Sequence, residues 1–299
     1  MAAVMRAAVD IGSNTVRLLI GSVEDGRVQV CCQMLVTTRL GDTEVGGRLS
    51  AAGRAKTIEA LHLFAGEMAA HGVAGPPVVA ATSAVREAAD GEDFRREVWR
   101  ELAWRLLILS GDQEAACSFS GAASLCDGRA VVIDVGGGST EMICADSEGR
   151  INGRSVRVGA VRLFNGEVPA DKLGSCLREL LTVLPEDRDG LQFVSVGGTI
   201  TLLAAMLAGV EQYTREAVHG RAVTVEQLRQ LYDELAPLTP AERLARYPLM
   251  AGREDIILSG IEIYLTLADM CGARQFMASD AGLLDGLLLL QAADVLPSA

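Results

Sequence analysis

Residues 10–21 read DIGSNTVRLLIG, and residues 134–144 read DVGGGSTEMIC. Each stretch starts at the aspartate that closes an apolar run, passes an apolar residue and a glycine, and crosses small polar residues into a new apolar run. The pattern predicts strand, tight turn, strand, with glycine allowing the backbone to fold closely. The second copy begins 124 residues after the first (134 − 10), a spacing of domain size. Working outward, strands are expected at 4–10, 15–23 and 27–37. A helix capped by Ser50 and running to about Ala70 follows the glycine-rich stretch Gly41–Gly47. Strand Val78–Ala81, a helix over 92–104, strand Arg105–Leu109 and helix Asp112–Leu125 complete the first series. The second series has strands Ala130–Asp134, Glu141–Ala145 and Ser155–Leu163, helix Lys172–Leu184, and strand Phe193–Val196 running straight into a helix from Thr199. A helical region from about Thr224 to Cys271 is broken at Pro237, Pro240 and Pro248, and strand Gln275–Ala278 precedes a last helix starting near Gly282. The expected fold is α/β, with two similar lobes over 1–128 and 129–299, a cleft between them, and the last helix able to pack back on lobe one.

The 299 residues are 49% hydrophobic and 22% charged, which excludes disorder and small disulfide scaffolds. With 27 basic against 39 acidic residues the net charge is −12, and no basic tract interrupts it. A general nucleic-acid or anionic-membrane surface is therefore not expected, and any polyanion must meet a locally basic cleft. No apolar run reaches the roughly 20 residues of a membrane span, and Arg6 and Asp10 interrupt any secretory segment, so a cytoplasmic protein is expected. The seven cysteines include no CxxC and no zinc-type Cys/His spacing, so they read as free thiols, with vicinal Cys31 and Cys32 as the one redox alternative. The three histidines, His62, His71 and His219, give no indication of a phosphohistidine intermediate.

The two turns suit phosphate. Glycines, among them Gly136, Gly137 and Gly138, bring backbone amides close to an anion, and Ser13, Asn14, Thr15, Ser139 and Thr140 add side-chain donors. Asp10, Asp134 and Glu141 are carboxylates able to hold Mg²⁺ directly or through water, with Mn²⁺ as a substitute. A third strand–glycine–helix junction, Ser195-Val-Gly-Gly-Thr199, places Gly197, Gly198 and Thr199 at a helix N-terminus, where anions are favoured. A lone Asp-x-Gly hairpin is ordinarily just a turn. Two at domain spacing, with the third junction, point to phosphate bound between lobes.

This arrangement resembles the actin, sugar-kinase and Hsp70-type ATPases, whose ribonuclease H-like lobes each supply a phosphate hairpin. It is more closely similar to the exopolyphosphatase / guanosine pentaphosphate phosphohydrolase (Ppx/GppA) family, from about Arg6 to Leu290. The motifs are DIGSNTVRLLI (10–20), TRLGD (38–42), ATSAVREA (81–88), LSGDQEA (109–115), VIDVGGGSTE (132–141), VGAVRL (158–163), SVGGT (195–199) and SDAGLLDG (279–286). Longer members carry a further helical part, so this chain resembles the short two-domain form.

The resemblance implies a phosphoanhydride hydrolase acting on inorganic polyphosphate or guanosine pentaphosphate, with Glu114 as general base and Arg86 meeting substrate phosphates. By itself, a glutamate in a first helical turn is more often a surface residue complementing the helix dipole. The resemblance also implies that Asp134 and Glu141 coordinate metal and phosphate, with Asp10 assisting through water. Arg39 and Arg162 sit beside glycines in loops expected to face the cleft and offer further neutralising charge; Arg17 is expected to form a structural ion pair. The chain departs from the family at Ala116, Ala281 and Leu284, where basic residues are usual, which puts grip on a long polyphosphate in question. An ATP-binding switch or assembly protein of the actin/Hsp70 type is the alternative function. The sequence leaves open the choice between polyphosphate and guanosine pentaphosphate, the chain-length preference, and the oligomeric state, for which a homodimer is the default.

Overall fold

The computed structural model describes residues 4–40, 47–146 and 148–293. The glycine-rich stretch expected at 41–47 falls outside them except for Gly47, as do Gly41 and Asp42 of the TRLGD motif. The chain divides into two compact units, Met1–Ser124 with Gly282–Ala299, and Leu125–Ala281.

The first unit follows the order read from sequence: β1 (Arg6–Ile11), β2 (Thr15–Glu24), β3 (Arg27–Thr37), α1 (Ala51–Ala70), β4 (Val78–Ala81), α2 (Ser83–Glu87), α3 (Gly91–Leu102), β5 (Leu106–Ile108) and α4 (Gly111–Ala123). Ser50 caps α1 by accepting from the Gly53 amide at 2.9 Å, as its sequence position predicts. The sheet order is β3-β2-β1-β4-β5, with β1, β2 and β3 antiparallel and β1, β4 and β5 parallel. Side chains alternate across a strand, so β1 feeds two cores. Ala7, Val9 and Ile11 join Leu61, Phe64 and Met68 of α1 and Phe94 and Val98 of α3. Ala8 on the other face joins Cys117 of α4.

The same second core contains Leu283, Leu284, Leu287 and Leu288 of the last helix, which returns from the far end of the sequence. The boundary read at 128/129 therefore moves to 124/125, and the segment from Gly282 belongs to unit one. The cause is packing: α4 covers only part of that sheet face, and four leucines of the last helix, α12 (Leu283–Ala292), close the rest. Helices α4 and α12 cross so closely that a Cβ on Gly286 would run into the Cys117 carbonyl, and one on Gly121 into the Gly282 carbonyl. Gly286→Ala is expected to destabilise unit one by about 1–3 kcal/mol through overpacking, read as a lowered midpoint in urea unfolding. An unchanged midpoint would show that the crossing yields freely.

The second unit contains β6 (Ala130–Val135), β7 (Thr140–Ala145), β8 (Ile151–Val156), α5 (Ala160–Phe164), α6 (Leu173–Leu177), β9 (Gln192–Val196), α7 (Gly198–Ala208), α8 (Arg215–Val218), β10 (Arg221–Thr224), α9 (Val225–Leu235), α10 (Pro240–Arg246), α11 (Ile257–Cys271) and β11 (Gln275–Ala278). The final helix, α12 (Leu283–Ala292), is the one already placed in unit one. The sheet order β10-β11-β9-β6-β7-β8, read backwards, repeats that of the first unit with one added edge strand. The duplicated α/β lobe expected from the two hairpins is thus present.

Three local readings change. The strand expected over Ser155–Leu163 lies instead at Ile151–Val156, because Gly159 turns the chain and α5 begins at Ala160. The helix expected over Lys172–Leu184 is a 3₁₀ turn, the short α6 and a second 3₁₀ segment over Arg178–Val183. Its apolar residues explain this: Leu177, Leu180 and Val183 recur every three residues, and i, i+3 side chains eclipse in a 3₁₀ helix. Strand β10 has an apolar signal of one buried residue, Val223, and is visible only through its pairing with β11.

Candidate active site

The hairpin β1–β2 places Asp10 opposite Arg17, and Gly12 N–H closes the turn on the Thr15 carbonyl at 3.0 Å. Arg17 donates to Asp10 Oδ2 from Nη2 at 2.5 Å and from Nε at 3.1 Å, the structural ion pair expected of it. Asp10 is buried, and its Oδ1 has no hydrogen-bond partner among the described residues. Arg17 engages Oδ2 alone, so the expected assistance of a metal through water would fall to Oδ1. At the tip, Ser13 and Asn14 are exposed and Thr15 is half-buried. The amides of Ser13 and Asn14 make no backbone hydrogen bond among the described residues. The Asn14 carbonyl accepts from the amides of Thr38 and Arg39, both at 3.0 Å, which ties Arg39 to the hairpin. Arg39 is exposed and has φ 53°, a left-handed conformation unusual for a residue with a Cβ.

Arg86 on α2 and Glu114 on α4 come together. Arg86 Nη1 donates to the Leu109 carbonyl at 2.7 Å and to Glu114 Oε2 at 3.2 Å, with the two side chains 32% and 35% exposed. Both are thus held in place yet open to solvent. Glu114 sits in the first turn of α4, whose N-terminus is fixed by a reciprocal capping box between Ser110 and Gln113.

In the second unit, Gly136 N–H closes the β6–β7 turn on the Ser139 carbonyl at 3.0 Å, matching the first hairpin bond for bond. The cross-strand partners differ: Asp134 faces Glu141. Burial, reinforced by the Glu141 charge, pushes the Asp134 carboxyl up to about 6. Glu141 Oε1 accepts from Ser155 Oγ at 2.6 Å. Gly197, at φ 86°, lies so close to Asp134 that a Cβ there would overlap Oδ1, which makes the glycine obligatory beside this carboxylate.

The carbonyls of Gly136 and Gly137 accept from the Ala160 and Val161 amides at 2.9 and 3.0 Å. That leaves the amides of exposed Gly137 and Gly138 without a backbone partner among the described residues. Ser139 is half-buried beside them.

Three expected phosphate ligands are otherwise engaged. Thr140 is fully buried and donates to the Val158 carbonyl at 2.7 Å; Thr199 is buried and donates to the Val135 carbonyl at 3.0 Å. Their hydroxyls hold strands and helix together and are not presented to an anion. Arg162 donates from Nε to the Gly138 carbonyl at 2.9 Å and pairs with Glu167, so it braces the hairpin from behind. One residue escaped the sequence reading: the Arg253 guanidinium lies against Gly198, at the start of α7. Its surroundings, AGRED at 251–255, form no motif, so only tertiary packing reveals it.

Duplicated α/β lobes, each opening a glycine hairpin of the same internal bonding, define a phosphate-handling protein of two related lobes. Residues 19–294 match the Ppx/GppA phosphatase family. The chain belongs to that family, and it is a hydrolase. It is 28% identical over 319 residues to exopolyphosphatase 2 of Mycobacterium tuberculosis, covering 97% of this chain and 99% of that protein. It is 25% identical over 299 residues to the guanosine-5'-triphosphate,3'-diphosphate pyrophosphatase of Aeromonas hydrophila, covering 94% of this chain but 58% of that one. The crystal structure of the Aquifex aeolicus member of the Ppx/GppA family matches with a TM-score of 0.82 at 28% identity, over 99% of both chains. Among the described residues no helix is long and apolar enough to cross a membrane.

Proposed function

We propose that the protein is a Mg²⁺-dependent exopolyphosphatase, releasing terminal orthophosphate from inorganic polyphosphate, with guanosine pentaphosphate as the second substrate to test. The observation that carries this reading is the Arg86–Glu114 pair at a capped helix N-terminus. A carboxylate there accepts the proton of an attacking water, while the adjoining guanidinium meets the phosphoryl oxygens. The water oxygen bonds to the terminal phosphorus, the bridging P–O bond breaks, and the shortened chain leaves with the electron pair. Within the first unit the unpartnered amides at Ser13 and Asn14 supply fixed donors for phosphate oxygens, and Arg39 adds charge; within the second, the amides of Gly137 and Gly138 offer the same kind of donor. That an exopolyphosphatase aligns along its whole length, whereas the pyrophosphatase aligns over 58% of its own, favours polyphosphate.

A divalent cation fits the second hairpin. Asp134 and Glu141 are like charges facing across adjacent strands, and burial disfavours the charge on Asp134. A hard cation with oxygen ligands relieves both costs. When bound, Mg²⁺ would neutralise charge on the transferring phosphoryl group.

The test is phosphate release by purified protein offered medium-chain polyphosphate, guanosine pentaphosphate and ATP in parallel, with and without Mg²⁺. Release from polyphosphate that stops in excess EDTA is expected. No release from either polymer or pentaphosphate, with melting raised by micromolar ATP, would favour the nucleotide switch instead.

Grip on a long chain is expected to be weak. Leu284 and Ala281 are buried, Leu284 within the α12 core, so packing has claimed positions where the family usually carries charge, and Ala116 adds none. A gel time course on long polyphosphate is expected to show gradual shortening of the whole population. A persistent full-length band beside free phosphate, without intermediates, would contradict this.

A further inference from the structure

Away from the hairpins, one turn at the end of α1 and one residue of β3 assemble a different kind of site. The Cys32 Sγ, a Glu67 carboxylate oxygen and a ring nitrogen of His71 all lie within 4.8 Å of one another, and all three residues are half-buried. Glu67 and His71 are four residues apart and therefore share a helix face. Cys32 stands on the face of β3 that packs inward with Met34 and Val36, whereas Cys31 is exposed on the opposite face. His71 Nδ1 is 2.9 Å from the Glu67 carbonyl oxygen and 3.8 Å from Glu67 Oε2, so the ring is held beside the carboxylate.

We propose that Cys32, Glu67 and His71 bind Zn²⁺, with water completing a tetrahedral site. Bond lengths of about 2.0–2.3 Å set ligand atoms about 3.3–3.8 Å apart in such a site, so small side-chain rotations close the observed spacing. The donor set selects the metal: a thiolate and an imidazole suit Zn²⁺ and are poor ligands for Mg²⁺. Charge agrees as well. A thiolate and a carboxylate together would balance +2. The position gives the metal a job. Strand β3 is the edge of its sheet, and the ion would pin that edge to the end of α1.

The experiment is titration of the intact, metal-stripped protein with Co²⁺, followed by competition with Zn²⁺, on wild type, Cys32→Ser, His71→Ala and Cys31→Ser. Thermal melting serves as the folding check. A thiolate-to-cobalt charge-transfer band that saturates at one Co²⁺ per chain and is abolished by Zn²⁺ is expected, and Zn²⁺ should raise the melting temperature of wild type more than that of Cys32→Ser. The band should vanish in Cys32→Ser and persist in Cys31→Ser. Affinity should fall about tenfold or more in His71→Ala, since even outer-shell changes cost that much. Binding without a thiolate band, a band that survives Cys32→Ser, or a band lost equally in Cys31→Ser would overturn the assignment.

Discussion

Glu114→Gln is expected to lower phosphate release by about 10²–10⁴-fold while leaving the fold and substrate affinity close to wild type. The amide keeps the shape and one acceptor oxygen, so the hydrogen bond from Arg86 Nη1, 3.2 Å in the native protein, can persist. What it loses is the capacity to take a proton from water. The α4 terminus should not suffer, because the capping box rests on Ser110 and Gln113. A loss confined to kcat, with KM unchanged, is the signature of a group acting only in the transition state. A variant keeping more than half of the wild-type kcat would remove Glu114 from the mechanism.

Asp134→Asn is expected to move activity and stability in opposite directions. Activity should fall about 10²-fold or more, because the cation would lose a charged ligand beside the triple glycine. The metal-free protein, however, should become more stable at neutral pH. An aspartate held at about 6, against its ordinary 3.8, binds its proton more tightly in the folded state. Its effect on stability is therefore absent below about pH 4, grows unfavourable as pH rises through about 6, and is fully present at pH 7. The difference corresponds to up to about 3 kcal/mol at neutral pH. An uncharged isostere removes that penalty, and adding Mg²⁺ should narrow the gap by stabilising wild type alone. Urea unfolding with and without Mg²⁺ reads both effects. An Asn variant that is less stable than metal-free wild type would mark Asp134 as an ordinary structural turn residue.

The fold was legible where periodicity and glycine spacing carry it. Both hairpins, strands β1, β2, β3, β6 and β7, and the cap at Ser50 follow from alternation and turn chemistry, whereas β8 shares only Ser155 and Val156 with the strand expected there. That Arg17 forms a structural ion pair was legible from its place on the strand after the hairpin; its partner Asp10, directly opposite on β1, was not. Hydroxyls were not. Thr140 and Thr199 read as phosphate donors because they follow glycine stretches, but their hydroxyls bond carbonyls 18 and 64 residues away, contacts with no local signal. Arg162 has the same flaw: its guanidinium reaches back 24 residues to Gly138, a contact with no local signal. The contact of Arg253 with Gly198 and the meeting of Cys32 with the Glu67–His71 pair are tertiary, since they join residues far apart in sequence.

The return of α12 to the first unit has a bearing on how the molecule is made. Leu283, Leu284, Leu287 and Leu288 are synthesised last, yet they line the sheet made first. At about 5–20 residues per second, translation from residue 124 to residue 292 takes roughly 8–34 s. During that interval the amino-terminal sheet would leave the ribosome with one face covered only by α4, while the 125–281 unit can close around its own core. The usual vectorial order, amino-terminal domain first, is expected to be reversed here. The nascent amino-terminal half is accordingly the stretch in which chaperone capture and aggregation are expected to concentrate.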